Sequence, residues 1–124
     1  MNSDSDLGVR RISANDGIQL SQKTMGHLFE QFVGMELNRY LRLNQSRYKL
    51  CYWQDYAGPE VDYVIDRHGS YIPIEVKWTQ NPTKSDARHL IKFLNEYETA
   101  EKAYIICRVD RKRMLADRII ALPW

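Results

Sequence analysis

Residues 60–79 constrain the fold of this chain more than any other stretch. "EVDYVID" and "YIPIEVKWT" each alternate with the two-residue period of a strand, and "RHG" separates them. Together they predict a β-hairpin, with Gly69 in a left-handed conformation within a three-residue loop. Alternation puts Val61, Tyr63 and Ile65 on one face of the first strand and Glu60, Asp62, Val64 and Asp66 on the other. On the second strand Ile72, Ile74, Val76 and Trp78 face one way, and Tyr71, Glu75, Lys77 and Thr79 the other. Pro73 has no N–H to donate, so an edge or irregular position is expected for it.

Counted outward from the turn centre at His68–Gly69, Asp62 and Glu75 come nearly opposite one another. Opposed carboxylates repel, so a positive group is expected between them. A hard divalent cation such as Mg²⁺ (or Mn²⁺) suits carboxylate oxygens and keeps water in its remaining positions. Lys77 lies on the same face as Glu75, about two strand rises along. Its ammonium can hold the attacking water or neutralise charge on a phosphoryl transition state. These are the parts that metal-assisted phosphodiester hydrolysis requires.

The flanks predict the rest of the domain. "TMGHLFEQFVGMELNRYLRL" sets Phe29, Phe32, Val33, Leu37, Tyr40 and Leu41 on one stripe of a helix over 24–41. Glu36 falls within that stripe and Glu30 on its shoulder; an acid beside an apolar face needs a partner, a metal or a wet pocket. A nearby arginine is the expected partner of Glu36. "YKLCYWQDY" reads as a strand ended by "AGP". A second helix is expected over 84–98, opened by a Thr83/Asp86 capping box and burying Ala87, Leu90, Ile91, Leu94 and Tyr97. "KAYIICRV" reads as a central strand, and "RIIALPW" as one more. The order is helix, three-strand meander, helix, strand: an α/β chain with a mixed sheet between helices. A flexible segment over 1–22 and a single domain over 23–124 are expected.

These residues resemble the active-site pattern of the PD-(D/E)XK nuclease superfamily. "EVD", a hairpin and "IEVK" stand where that pattern has its first acid and its (D/E)XK motif, with Val61 in place of the opening proline. The resemblance implies a restriction-endonuclease-like core. It also implies catalysis by Asp62, Glu75 and Lys77, with Mg²⁺ held by Asp62, Glu75 and an acid of the first helix, Glu30. Glu60 and His89 are further candidates, Glu60 alternatively a plain strand-start residue and His89 a plain surface residue. "GHLFEQFVGMEL", "GPEVDYVID", "IPIEVKW" and "IIALPW" are more closely similar to the C-terminal domain of unknown function found on many prokaryotic AAA-type ATPases, over Gly26 to Trp124. No GxxxxGK[ST] is present, so the ATPase part is absent. The chain is then a stand-alone relative or a detached piece, with an ATPase or a second copy as protein partner. The competing readings are a DNA nuclease and a weak or inactive nuclease-like module that binds DNA or protein.

A net charge of +2 over 124 residues excludes a chain that coats nucleic acid through bulk charge. DNA contact is therefore assigned to local rows: Lys84, Arg88 and Lys92 on the second helix, and Arg111, Lys112 and Arg113 in "RVDRKRM", each alternatively a solvated surface. Cys51 and Cys107 sit in apolar strands outside any CxxC and are expected to be buried reduced thiols. No apolar run reaches membrane-span length and no signal peptide is recognisable, which makes a cytoplasmic location the expectation.

Overall fold

The computed structural model describes residues 14–44 and 47–124, with side chains from residue 22 onward. The elements are α1 (Ala14–Leu43), β1 (Lys49–Gln54), β2 (Glu60–Arg67), β3 (Ser70–Val76), a short 3₁₀ turn (Lys84–Ala87), α2 (Arg88–Glu96), β4 (Ala103–Cys107), β5 (Arg113–Ala116) and β6 (Ile119–Pro123). The six strands form one mixed sheet in the order β1-β2-β3-β4-β6-β5. β1, β2 and β3 run antiparallel as a meander. β3, β4 and β6 are parallel neighbours, and β5 returns antiparallel onto β6. Parallel neighbours need a crossover connection, usually a helix; α2 supplies it between β3 and β4, and β5 lies in the connection from β4 to β6.

Two apolar clusters hold the layers together. Against α2, the buried side chains Leu90, Phe93 and Leu94 pack with Val61, Val64, Ile105, Cys107 and Ile119. Trp53, Tyr71 and Tyr97 join Phe93 there, and the Trp53 indole N–H donates to the Tyr97 hydroxyl at 3.1 Å. Against α1, Phe29, Val33 and Val76 form a smaller cluster with Tyr63, Trp78 and Ile106. The fold is thus a three-layer α/β arrangement, as expected.

The details depart from simple periodicity in several places. α1 begins at Ala14, ten residues before the expected helix; of the segment 1–22 expected to be flexible, 14–22 belongs to α1 and 1–13 lies outside the described residues. The hairpin has a two-residue turn, because Arg67 pairs with Ser70. His68 and Gly69 both take left-handed φ, 59° and 92°, which suits the strand twist. Asp66 makes this affordable for a histidine by accepting the Gly69 N–H at 2.8 Å. Between Val64 and Val61, β2 has one residue more than β1 has between Cys51 and Trp53, which is a bulge. It sends both valines to the α2 side and Tyr63 to α1, so Val61 and Tyr63 do not share a face.

Pro73 sits one residue before β3 begins to pair with β4 at Ile74, where β3 has only β2 beside it. Cys107 is buried, but Cys51 is exposed, on the edge strand β1. Phe32 and Tyr40, expected in the buried stripe, are 46% and 65% exposed. Phe93, outside the expected stripe of α2, is among the most buried side chains. Arg113, from the basic run "RVDRKRM", opens an additional strand, β5. Among the described residues, no helix is long and apolar enough to cross a membrane.

Candidate functional site

Backbone pairing between β2 and β3 stops at Tyr63–Ile74, and the two acids occupy the gap beyond it. Glu75 Oε1 accepts the Asp62 N–H at 2.9 Å, and Asp62 Oδ2 accepts the Val76 N–H at 2.8 Å. Glu75 is 5% exposed and is the one buried charged residue among those described. Lys77 follows directly after β3, with its N–H bonded to the Ile106 carbonyl and its Nζ 3.9 Å from Glu75 Oε2. Each carboxylate therefore keeps only part of its acceptor capacity for anything else.

Burial pushes the Asp62 carboxyl up to about 6; the Val76 N–H opposes this, and the charge of Glu30 adds to it. Burial likewise pushes Glu75 up to about 7, helped by Asp62 and opposed by the Asp62 N–H and Lys77. Both acids feel Glu30, which α1 brings to the sheet. Beside the apolar cluster under α1, a hydrogen bond holds that approach: the Tyr63 hydroxyl donates to the Glu30 backbone carbonyl at 2.9 Å. The same charges, with burial foremost, raise the Tyr63 phenol and keep it a donor. Gly34 leaves room for the Tyr63 ring, since a Cβ there would overlap it.

Asp62, Glu75 and Lys77 thus come together, with Glu30 within electrostatic reach. Glu60 is exposed, and its charge acts only weakly on Asp62. His89 Nδ1 lies 3.0 Å from the Glu60 carbonyl oxygen, which ties α2 to the start of β2. Glu36 pairs with Arg39 at 3.5 Å on the surface, as expected. Lys84 and Arg88 are exposed, whereas Lys92 is engaged by Asp55 at 3.4 Å and Glu96 at 3.0 Å. Arg111, Lys112 and Arg113 are exposed at the far end of the sheet. Tyr63 and Gly34 escape a reading by residue type; the signal for Tyr63 was its place beside Asp62.

The donor set suits a hard divalent cation through two carboxylates, the mode in which Mg²⁺ keeps most of its waters. Among the described residues, no three of His, Cys, Asp and Glu form a ready ligand set.

A family described as a domain of unknown function (DUF4143) matches residues 25–124. This chain belongs to the DUF4143 family. Comparison of the DUF4143 chain with curated proteins finds no match. Among solved structures it is similar to a chain of the refined half-complex from a tetradecameric assembly of Thermococcus gammatolerans McrB AAA+ hexamers with bound McrC. The TM-score is 0.55 at 16% identity, over 81% of the DUF4143 chain and 27% of the other. That likeness is one of fold, and this chain spans about a quarter of the length of its neighbour.

Proposed function

We propose that this chain is a docking domain for an AAA-type ATPase, built on a nuclease-like fold. The observation that carries this reading is the exposed apolar face along α1. Met35, Tyr40, Leu43 and Trp124 are each more than 60% exposed, and Tyr40 and Trp124 line a groove of about 490 Å³ together with Phe32 and Leu37. A contiguous apolar face of this kind marks a protein contact. The resemblance to domains carried by AAA-type ATPases supports an ATPase as the occupant, and the fold neighbour is a chain from an AAA+ assembly. The test is size-exclusion chromatography with light scattering on the chain, alone and mixed with an AAA-type ATPase encoded beside it. Co-elution that Met35→Glu and Tyr40→Glu abolish supports the reading. A dimer of the chain that the same variants disrupt assigns the face to a second copy and overturns it.

The convergence of Asp62, Glu75 and Lys77 favours a second activity on the same domain, Mg²⁺- or Mn²⁺-dependent hydrolysis of DNA. Asp62 and Glu75 are the residues that would hold the cation, and Glu30 of α1 would add its negative charge nearby. When bound, such an ion supplies Lewis-acid polarisation of a phosphodiester oxygen. Lys77 is placed to orient water and to offset negative charge on the scissile phosphate. The crossed bonds of the two carboxylates to the strand backbone make this hydrolysis weak in the isolated domain. Cleavage of plasmid, linear and branched DNA with Mn²⁺, lost in both Glu75→Gln and Lys77→Ala, supports it. Equal cleavage by Glu75→Gln and the parent overturns it.

A further inference from the structure

Beyond Lys77, the chain leaves the sheet through Thr79, Gln80 and Asn81, while beside it β4 ends at Cys107 and is followed by Arg108. The two segments stay joined, since the Arg108 N–H donates to the Thr79 carbonyl at 2.8 Å. They open onto a cavity of about 430 Å³ at the carboxyl ends of the parallel strands β3 and β4. Gln80, Asn81, Arg108, Asp110, Arg111 and Arg113 line it.

We propose that this cavity binds a phosphate monoester dianion, the terminal phosphate of a nucleotide or of a nucleic-acid strand. Three observations converge on it. The guanidinium of Arg108 lies 4.1 Å from the centre of the Trp78 ring, a stacked geometry that fixes the plane of its donor fork. Its Nε is buried and has no hydrogen-bond partner among the described residues. Arg108, Arg111 and Arg113 form no ion pair among the described residues, in contrast to Lys92, whose charge is spent on Asp55 and Glu96.

Charge and size narrow the ligand. Asp110 is the one acid in the wall, so three arginines leave two uncompensated positive charges. A monoester phosphate carries close to two negative charges at neutral pH, whereas a phosphodiester carries one. Arginine forks bind phosphate oxygens in pairs. The cavity volume is that of a small-ligand pocket rather than of an open track along a strand. Gln80 and Asn81 add neutral amide donors for the remaining oxygens. The site is separate from the Asp62–Glu75 pair and does not depend on docking or hydrolysis as proposed above.

Calorimetric titration of the full chain in metal-free buffer tests it, with a nucleoside 5′-monophosphate, the matching nucleoside, and one oligonucleotide carrying either a 5′-phosphate or a 5′-hydroxyl. The expected result is that the phosphorylated member of at least one pair binds at least tenfold more tightly. Preference within both pairs assigns the ligand to nucleotides generally, and preference within the oligonucleotide pair alone assigns it to strand ends. Arg111→Gln and Arg113→Gln, both at exposed positions, should each weaken that binding about tenfold. Arg108→Lys should weaken it as well, because charge remains but the fork is lost. Asp62→Asn should leave it unchanged. Equal binding within both pairs, or full binding by Arg111→Gln and Arg113→Gln, overturns the proposal.

Discussion

Asp62 and Glu75 each hold the strand of the other. The Asp62 N–H donates to Glu75 Oε1 at 2.9 Å, while Asp62 Oδ2 takes the Val76 N–H at 2.8 Å. This crossed pair bridges β2 and β3 where their backbone ladder ends. The bonds favour the charged carboxylates, and burial with mutual repulsion opposes them. Burial wins, since both groups are raised. The acids are therefore structural ties as well as a charged site, and substitution can separate the two roles.

Asp62→Asn keeps an acceptor for the Val76 N–H and removes one charge. Urea unfolding of the metal-free protein at pH 8 should show it more stable than the parent by about 1–2 kcal/mol, the scale of a raised carboxyl discounted for partial exposure. Asp62→Ala removes the acceptor too and should be less stable than the asparagine variant. Mn²⁺ affinity should fall at least tenfold in both. An asparagine variant less stable than the parent at pH 8 refutes the charge argument.

The pH dependence has a definite sign. Asp62 and Glu75 have folded values of about 6 and 7 against 3.8 and 4.5 as free groups, so the folded state binds more protons between about 4 and 7. Their contribution to stability is fully present below the free values and is lost as pH rises through 6 and 7. Glu30 and Glu60 steepen this loss, and Lys77 softens it. Melting temperature without metal should fall from pH 5 to pH 8, more steeply in the parent than in an Asp62→Asn/Glu75→Gln double variant. Parallel curves for the two proteins would rule it out.

Gly34 and Tyr63 set the distance between α1 and the sheet. The ring is held by its bond to the Glu30 carbonyl and cannot turn away without losing it. Gly34→Ala should therefore destabilise by about 1–3 kcal/mol through overpacking, although alanine is the better helix former. Tyr63→Phe should cost about 1 kcal/mol for the lost bond. Gly34→Ala/Tyr63→Leu should recover most of the loss in thermal melting, and no recovery would mean that the ring is not the obstacle.

On α2, Arg88 and Lys92 should differ as DNA contacts. Arg88 is exposed, and reversing its charge should flatten the salt dependence of any DNA binding by about one unit. Lys92 is already paired with Asp55 and Glu96, so its reversal should change the salt slope less while lowering thermal stability. Fluorescence anisotropy with a labelled duplex across a salt series measures both slopes.

The sequence by itself determined the order of elements apart from β5, the hairpin apart from the length of its turn, the convergence of Asp62, Glu75 and Lys77, and the Thr83–Asp86 cap. These are local quantities. A strand alternates whatever lies above it, a hairpin aligns its own two arms, and a capping box spans four consecutive residues. Only the tertiary structure decided which faces are covered. The bulge in β2 exists because Val61 and Val64 both fill the α2 core. Phe32 and Tyr40 carry the pattern of a buried stripe, yet no neighbouring element among those described covers them. Glu30 comes within electrostatic reach of the carboxylates on a helix whose Gly34 admits the Tyr63 ring, a contact between residues far apart in the chain. Arg108 meets Trp78, and Lys92 meets Asp55, for the same reason. Periodicity records how a residue sits relative to its neighbours in the chain; burial and charge pairing depend on what long-range packing places opposite it, which no local pattern encodes.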